Sequence, residues 1–124
     1  MNKNHKYYFS LKPYFYLTLM IFALTTEVHG LDKPEDFLSL AFMAGSSNQC
    51  GVSREESKAA LKKIEFVLSC KAGTGEIKKE SLNAYLEMAN NQYKKGKENP
   101  PKYPSDLCES VSYLVRSLNK ISKC

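Results

Sequence analysis

Leu107, Val111, Leu114, Leu118 and Ile121 follow one another at alternating steps of four and three. That spacing sets all five on one face of a helix and leaves the polar residues between them on the other. Three earlier stretches carry the same kind of stripe. Phe37, Leu38, Leu40, Ala41 and Ala44 mark a first helix. It opens near Asp32-Lys33-Pro34-Glu35, a capping-box pattern with proline in the first turn, and ends within residues 45–51. Ala60, Leu61, Ile64, Val67 and Leu68 mark a second. Ser53 and Glu56 form a capping box at its start, and the run KAGTG at 71–75 stops it. Leu82, Tyr85, Leu86, Ala89 and Tyr93 mark a third over 77–95, with Gly96 as its stop. The segment KENPPKYP at 97–104 cannot be helical, because each proline removes a donor and restricts the residue before it. The fourth helix opens at Ser105 or Asp106, with Glu109 completing an Asp-x-x-Glu box. Met43 and Met88 read as core filler. No stretch alternates as a strand would. The pattern predicts an all-α fold, a small four-helix up-down bundle.

The first thirty residues have a different texture. Lys3, Lys6 and Lys12 precede the apolar run YFYLTLMIFAL at 14–24, and Val28-His29-Gly30 follows a polar spacer. Charge, apolar core and small residue in that order predict a secretory signal peptide over 1–30, cut near Gly30, ahead of a single domain over 31–124. The run is shorter than the roughly 20 apolar residues a membrane span needs, so no stable span is expected after cleavage. No cysteine lies just after it to carry a lipid. Both histidines, His5 and His29, belong to this leader, so residues 31–124 contain none. Of the charged side chains, three lysines and one glutamate also fall there. That leaves 15 basic against 12 acidic, interspersed rather than clustered. Such mixing reads as a solvated surface, and nucleic acid is not an expected partner.

A domain of this size buries a limited share of its surface and is marginal without cross-links. All four cysteines, Cys50, Cys70, Cys108 and Cys124, lie in it. Their separations of 19, 37 and 15 residues lack the close pairs of a structural zinc site, and no histidine could complete one. An even number in an exported chain predicts disulfides and an oxidising compartment, the periplasm or the extracellular space. Alternating helix directions bring Cys50 to Cys108 at one end of the bundle and Cys70 to Cys124 at the other. A fourth helix running the opposite way would pair Cys50 with Cys124 and Cys70 with Cys108.

The domain is poorly equipped for catalysis. Without histidine the commonest general base is missing, and no Ser-His-Asp or Cys-His arrangement can form. There is no C-x-x-C motif, and Gly73-Thr74-Gly75 is too short for a phosphate loop. Glu55 and Glu56 sit where a helix N-terminus favours carboxylates for structural reasons. No enzyme activity, cofactor or metal is expected. Binding has better candidates. The stiff segment Pro100-Pro101-Lys102-Tyr103-Pro104 loses little entropy when ordered on a partner, although a rigid link between helices is the plainer reading. Tyr103 and Phe42 fall off the helical stripes and are candidate contacts, whereas Tyr85 belongs to the core.

An exported chain of four short helices with Cys50-Gly51 closing the first resembles small periplasmic helical accessory proteins, the pilotins of type II secretion in particular. The similarity spans about residues 36–118. It implies a bond from the cysteine after the first helix to one on the last, here Cys50 and Cys108. It also implies a binding protein for a secretion or envelope component. The sequence therefore predicts a non-enzymatic accessory protein that binds another envelope or secreted protein. A secretion or conjugation apparatus and a periplasmic toxin are the candidate contexts. The alternative is a secreted helical carrier of a small apolar ligand.

Overall fold

The computed structural model describes residues 33–124. It contains α1 (Pro34–Ser46), a 3-10 turn (Ser47–Cys50), α2 (Arg54–Gly73), α3 (Lys79–Glu98) and α4 (Ser105–Leu118), and no strand among the described residues. The expected leader over 1–30 and its cut near Gly30 lie outside the described residues, as does Asp32.

Local sequence explains most helix ends. At α2 the Glu56 N–H donates to Ser53 Oγ at 3.1 Å and the Ser53 N–H donates to the Glu56 carboxylate at 3.4 Å, the reciprocal box its spacing predicts. The chain leaves α2 through Gly75 at φ 85°, a left-handed conformation that costs glycine little. Three expectations need correction. At α1, Lys33 occupies the cap position in place of Asp32, and the Asp36 carboxylate accepts from its N–H at 3.4 Å. Pro34, with no N–H and a fixed φ, takes the first helical position and so sets the cap one residue before itself. At α4, Pro104 is the cap: its carbonyl accepts from Cys108 N–H at 2.9 Å, and the Asp106 carboxylate accepts from Leu107 N–H at 2.9 Å. Asp106 is thus inside the helix and does not open a box with Glu109. Lastly, α3 starts two residues later than predicted and runs through Gly96 to Glu98.

Gly96 stays helical because of what it packs against. A Cβ built on it would collide with the Phe42 carbonyl oxygen of α1, and one built on Gly45 would collide with the Tyr93 carbonyl oxygen of α3. Each glycine seats the backbone of the other helix, so α1 and α3 approach at backbone distance. The two run in parallel: the Tyr85 hydroxyl reaches the Glu35 carboxylate at 3.5 Å near their starts, and the glycines meet near their ends. This pair is the most extensive helix contact among the described residues. Helix α2 lies antiparallel to both and packs on each. Helix α4 packs on α2, on the 3-10 turn and on α1.

The core between the helices is led by Phe37, Leu40, Met43, Ile64, Leu68, Leu114 and Leu118, all essentially sealed from solvent. Met88 is not part of it. It is 40 % exposed, because it sits one residue, or about 100° of helix, from buried Ala89. Two hydroxyl pairs cross the core. Ser57 Oγ and Tyr93 Oη are 2.9 Å apart, both buried. The Ser46 hydroxyl donates to the carbonyls of Phe42 and Met43, each at 3.1 Å. With its one hydrogen so engaged, it accepts from Tyr103 Oη at 2.8 Å. Tyr93→Phe would leave Ser57 Oγ buried without that partner, and is expected to destabilise by about 1–3 kcal/mol. Adding Ser57→Ala should recover part of that loss. Urea unfolding of the single and double variants reads both effects, and additive losses would show that the pair is not coupled.

Candidate functional site

The stripe that buries α4 leaves its opposite face free. Ser105, Cys108, Ser112, Tyr113 and Arg116 recur at helical spacing on that side, and with Lys120 just beyond the helix and Gln49, Cys50 and Tyr103 they line an open groove of about 720 Å³. The two cysteines at its floor have Cα atoms 5.0 Å apart, a disulfide between the 3-10 turn and the first turns of α4. Ser112 Oγ donates to the Cys50 carbonyl at 3.2 Å and ties the turn to the helix a second time. Tyr113 stands at the rim and is 42 % exposed. Arg116 Nε lies 3.5 Å from a Glu56 carboxylate oxygen. With both side chains largely in water, this pair contributes little and leaves the guanidinium free to exchange partners.

The sequence-predicted contact residues divide across this region. Tyr103 is half-buried at one end of the groove, its hydroxyl held by Ser46. Pro100 and Pro101 are half-buried, whereas Lys102 and Pro104 are exposed. Phe42 is half-buried on α1, and Ser46 links it to Tyr103 through the two hydrogen bonds already described. Arg116, on the polar side of a clear amphipathic stripe, reads in the sequence as solvated surface, and nothing there marks Tyr113 above the domain's other tyrosines as a contact. The available signal was Cys108 lying on that same side, which anchors the face to a distant turn.

The second disulfide closes the other end. Cys70 and Cys124 have Cα atoms 5.5 Å apart, so the four cysteines pair as alternating helix directions require, and none is free. Val67, Lys71, Thr74, Glu76, Ile121 and Lys123 surround this bond in a cavity of about 190 Å³. The Glu76 carboxylate accepts from Lys71 Nζ at 3.1 Å and from Thr74 Oγ1 at 3.0 Å. The Lys71 hydrogen bond, then that of Thr74, holds its carboxyl below the usual carboxylate range. A depressed folded-state value stabilises the fold above the ordinary carboxylate range and loses that contribution as acid protonates the group. A third, shallow groove of about 420 Å³ lies between Leu38 of α1 and Met88, Gln92 and Lys95 of α3.

Among the described residues no group of three or more histidine, cysteine, aspartate or glutamate side chains is placed to hold a metal ion. Nor is any described helix long and apolar enough to cross a membrane. Two disulfides fit an oxidising compartment. The build defines a class: an all-α, four-helix domain with a disulfide at each end. No known protein family, curated protein or solved structure matches the chain.

Proposed function

We propose that the protein is an exported, non-enzymatic accessory protein that binds another envelope or secreted protein through the groove on α4. The predicted leader and the paired thiols support export to the periplasm or beyond. The observation that carries the binding reading is the groove itself. Its floor is cross-linked and its rim presents Tyr103, Tyr113 and Arg116. Tyrosine and arginine dominate the few positions that supply most of an interface's binding energy. A rigid floor also reduces the ordering cost of association. The resemblance to pilotins points to a secretion-apparatus component as partner. A conjugation apparatus or a periplasmic toxin would use the same surface.

A photo-crosslinking side chain placed at Tyr113 tests the reading in an envelope extract of the producing cell. The expected result is one discrete cross-linked protein, absent when the same probe replaces Phe66 on the outer face of α2. Arg116→Glu should weaken that complex by about tenfold or more, roughly 1.4 kcal/mol. No cross-link at Tyr113, together with saturable uptake of an apolar fluorescent probe by the oxidised protein, would support a small-ligand carrier instead.

A further inference from the structure

The two disulfides hold different things. Cys50–Cys108 joins elements that pack on each other regardless: Leu107 and Val111 of α4 are buried, and Ser112 bonds the Cys50 carbonyl. Cys70–Cys124 instead ties the non-helical segment 119–124 to α2. The N–H groups of Asn119, Lys120 and Ile121 donate to the Val115, Ser117 and Leu118 carbonyls of α4, but the segment has few other anchors on α2. Asn119 Nδ2 donates to the Glu56 carbonyl at 3.0 Å, the Lys63 ammonium donates to the Ile121 carbonyl, and Ile121 is half-buried. Cys124 is exposed, whereas the other three cysteines are half-buried. The sequence separations, 58 and 54, are nearly equal, so both bonds constrain the unfolded chain alike. Any difference in their reducibility must therefore arise in the folded state.

We propose that Cys70–Cys124 is a redox latch, opened by an external dithiol while the helices stay packed. One thiolate of the dithiol attacks Sγ of Cys124, the exposed residue of the pair, and Cys70 leaves as a thiolate. The second thiolate of the reductant then attacks its own sulfur in the mixed disulfide and releases Cys124. Two electrons pass to the protein, the reductant ends as its disulfide, and two protons end on the freed thiols. Lys71 and Lys123 line the cavity around this bond and favour the departing thiolates. Once open, segment 119–124 can leave α2, so the two thiols no longer meet at high effective concentration. Departure of Ile121 uncovers Val67 and turns the small cavity into an apolar surface at this end of the bundle. Cys50 and Cys108, held together by their own elements, stay positioned to re-form their bond.

The test is stepwise dithiothreitol reduction of the oxidised protein, trapping with iodoacetamide, mapping by mass spectrometry, and circular dichroism of the same samples. The expected intermediate carries label on Cys70 and Cys124 alone and keeps its helical signal. It should form at about a tenfold lower reductant concentration than the species labelled on Cys50 and Cys108. Amide exchange in it should rise at 119–124 and not within α4. Labelling of Cys50 and Cys108 first, or of all four cysteines together with loss of helix, overturns the proposal. A Cys70→Ser/Cys124→Ser variant provides an independent check. Its remaining bond should resist the dithiothreitol that opens the latch, and opening at that lower concentration would also overturn it.

Discussion

Gly96→Ala is expected to destabilise the fold by about 3 kcal/mol, the reverse of the usual sign. A glycine inside a helix ordinarily gains about 0.5–1 kcal/mol on replacement by alanine, because alanine loses less backbone entropy on folding. Here the new methyl would run into the Phe42 carbonyl of α1, a backbone atom that cannot rotate away. The parallel helices would have to separate, and overpacking of this kind costs about 1–3 kcal/mol, occasionally more. Gly45→Ala should behave the same way, since its methyl would meet the Tyr93 carbonyl. Gly73→Ala is the internal control: nothing lies within 4 Å of a Cβ there. It is expected to be neutral or to gain up to about 1 kcal/mol. Denaturant midpoints of the three variants separate the cases. A neutral Gly96→Ala would mean that α1 and α3 do not approach at backbone distance.

Cys50→Ser/Cys108→Ser is expected to lose about 2–5 kcal/mol, the range seen when a native disulfide is removed from a small exported domain. A domain of this size has a total margin of only about 5–15 kcal/mol. The melting temperature should therefore fall by about 8–40 °C, given about 4–8 °C per kcal/mol at this length. Segment 119–124 gains freedom in the folded state when its own bond is removed, so Cys70→Ser/Cys124→Ser should lose less than its counterpart. Thermal unfolding followed by circular dichroism reads both values. A melting temperature within a few degrees of the parent for the first variant would show that the apolar core suffices without it.

Much of the architecture was legible because it rests on short-range patterns. Stripes at steps of three and four gave four helices, and Ser53-x-x-Glu56 gave the start of α2. Alternating helix directions then paired Cys50 with Cys108 and Cys70 with Cys124. What escaped were features set by residues distant in sequence. Gly96 resembles a helix stop when read locally, and only its seat on Phe42 of α1 explains why α3 continues past it. Tyr103 lies off the stripes and reads locally as a partner contact, yet its hydroxyl bonds Ser46, 57 positions away. Neither Tyr113 nor Arg116 is marked by its spacing as a contact, because a groove exists only once the 3-10 turn and the proline segment lie alongside α4. The glycines, the tyrosine tether and the groove all cluster at the Cys50 end of the bundle. That end therefore combines the backbone approach of α1 and α3 with the groove on α4.

One covalent arrangement underlies the fold, a disulfide at each end of an alternating four-helix bundle. Proteolysis of the unreduced protein under conditions that prevent exchange, followed by mass spectrometry of the linked peptides, tests it directly. The expected products join Cys50 to Cys108 and Cys70 to Cys124, with no alkylatable thiol. Peptides joining Cys50 to Cys124 and Cys70 to Cys108, or four free thiols in the folded protein, would contradict it.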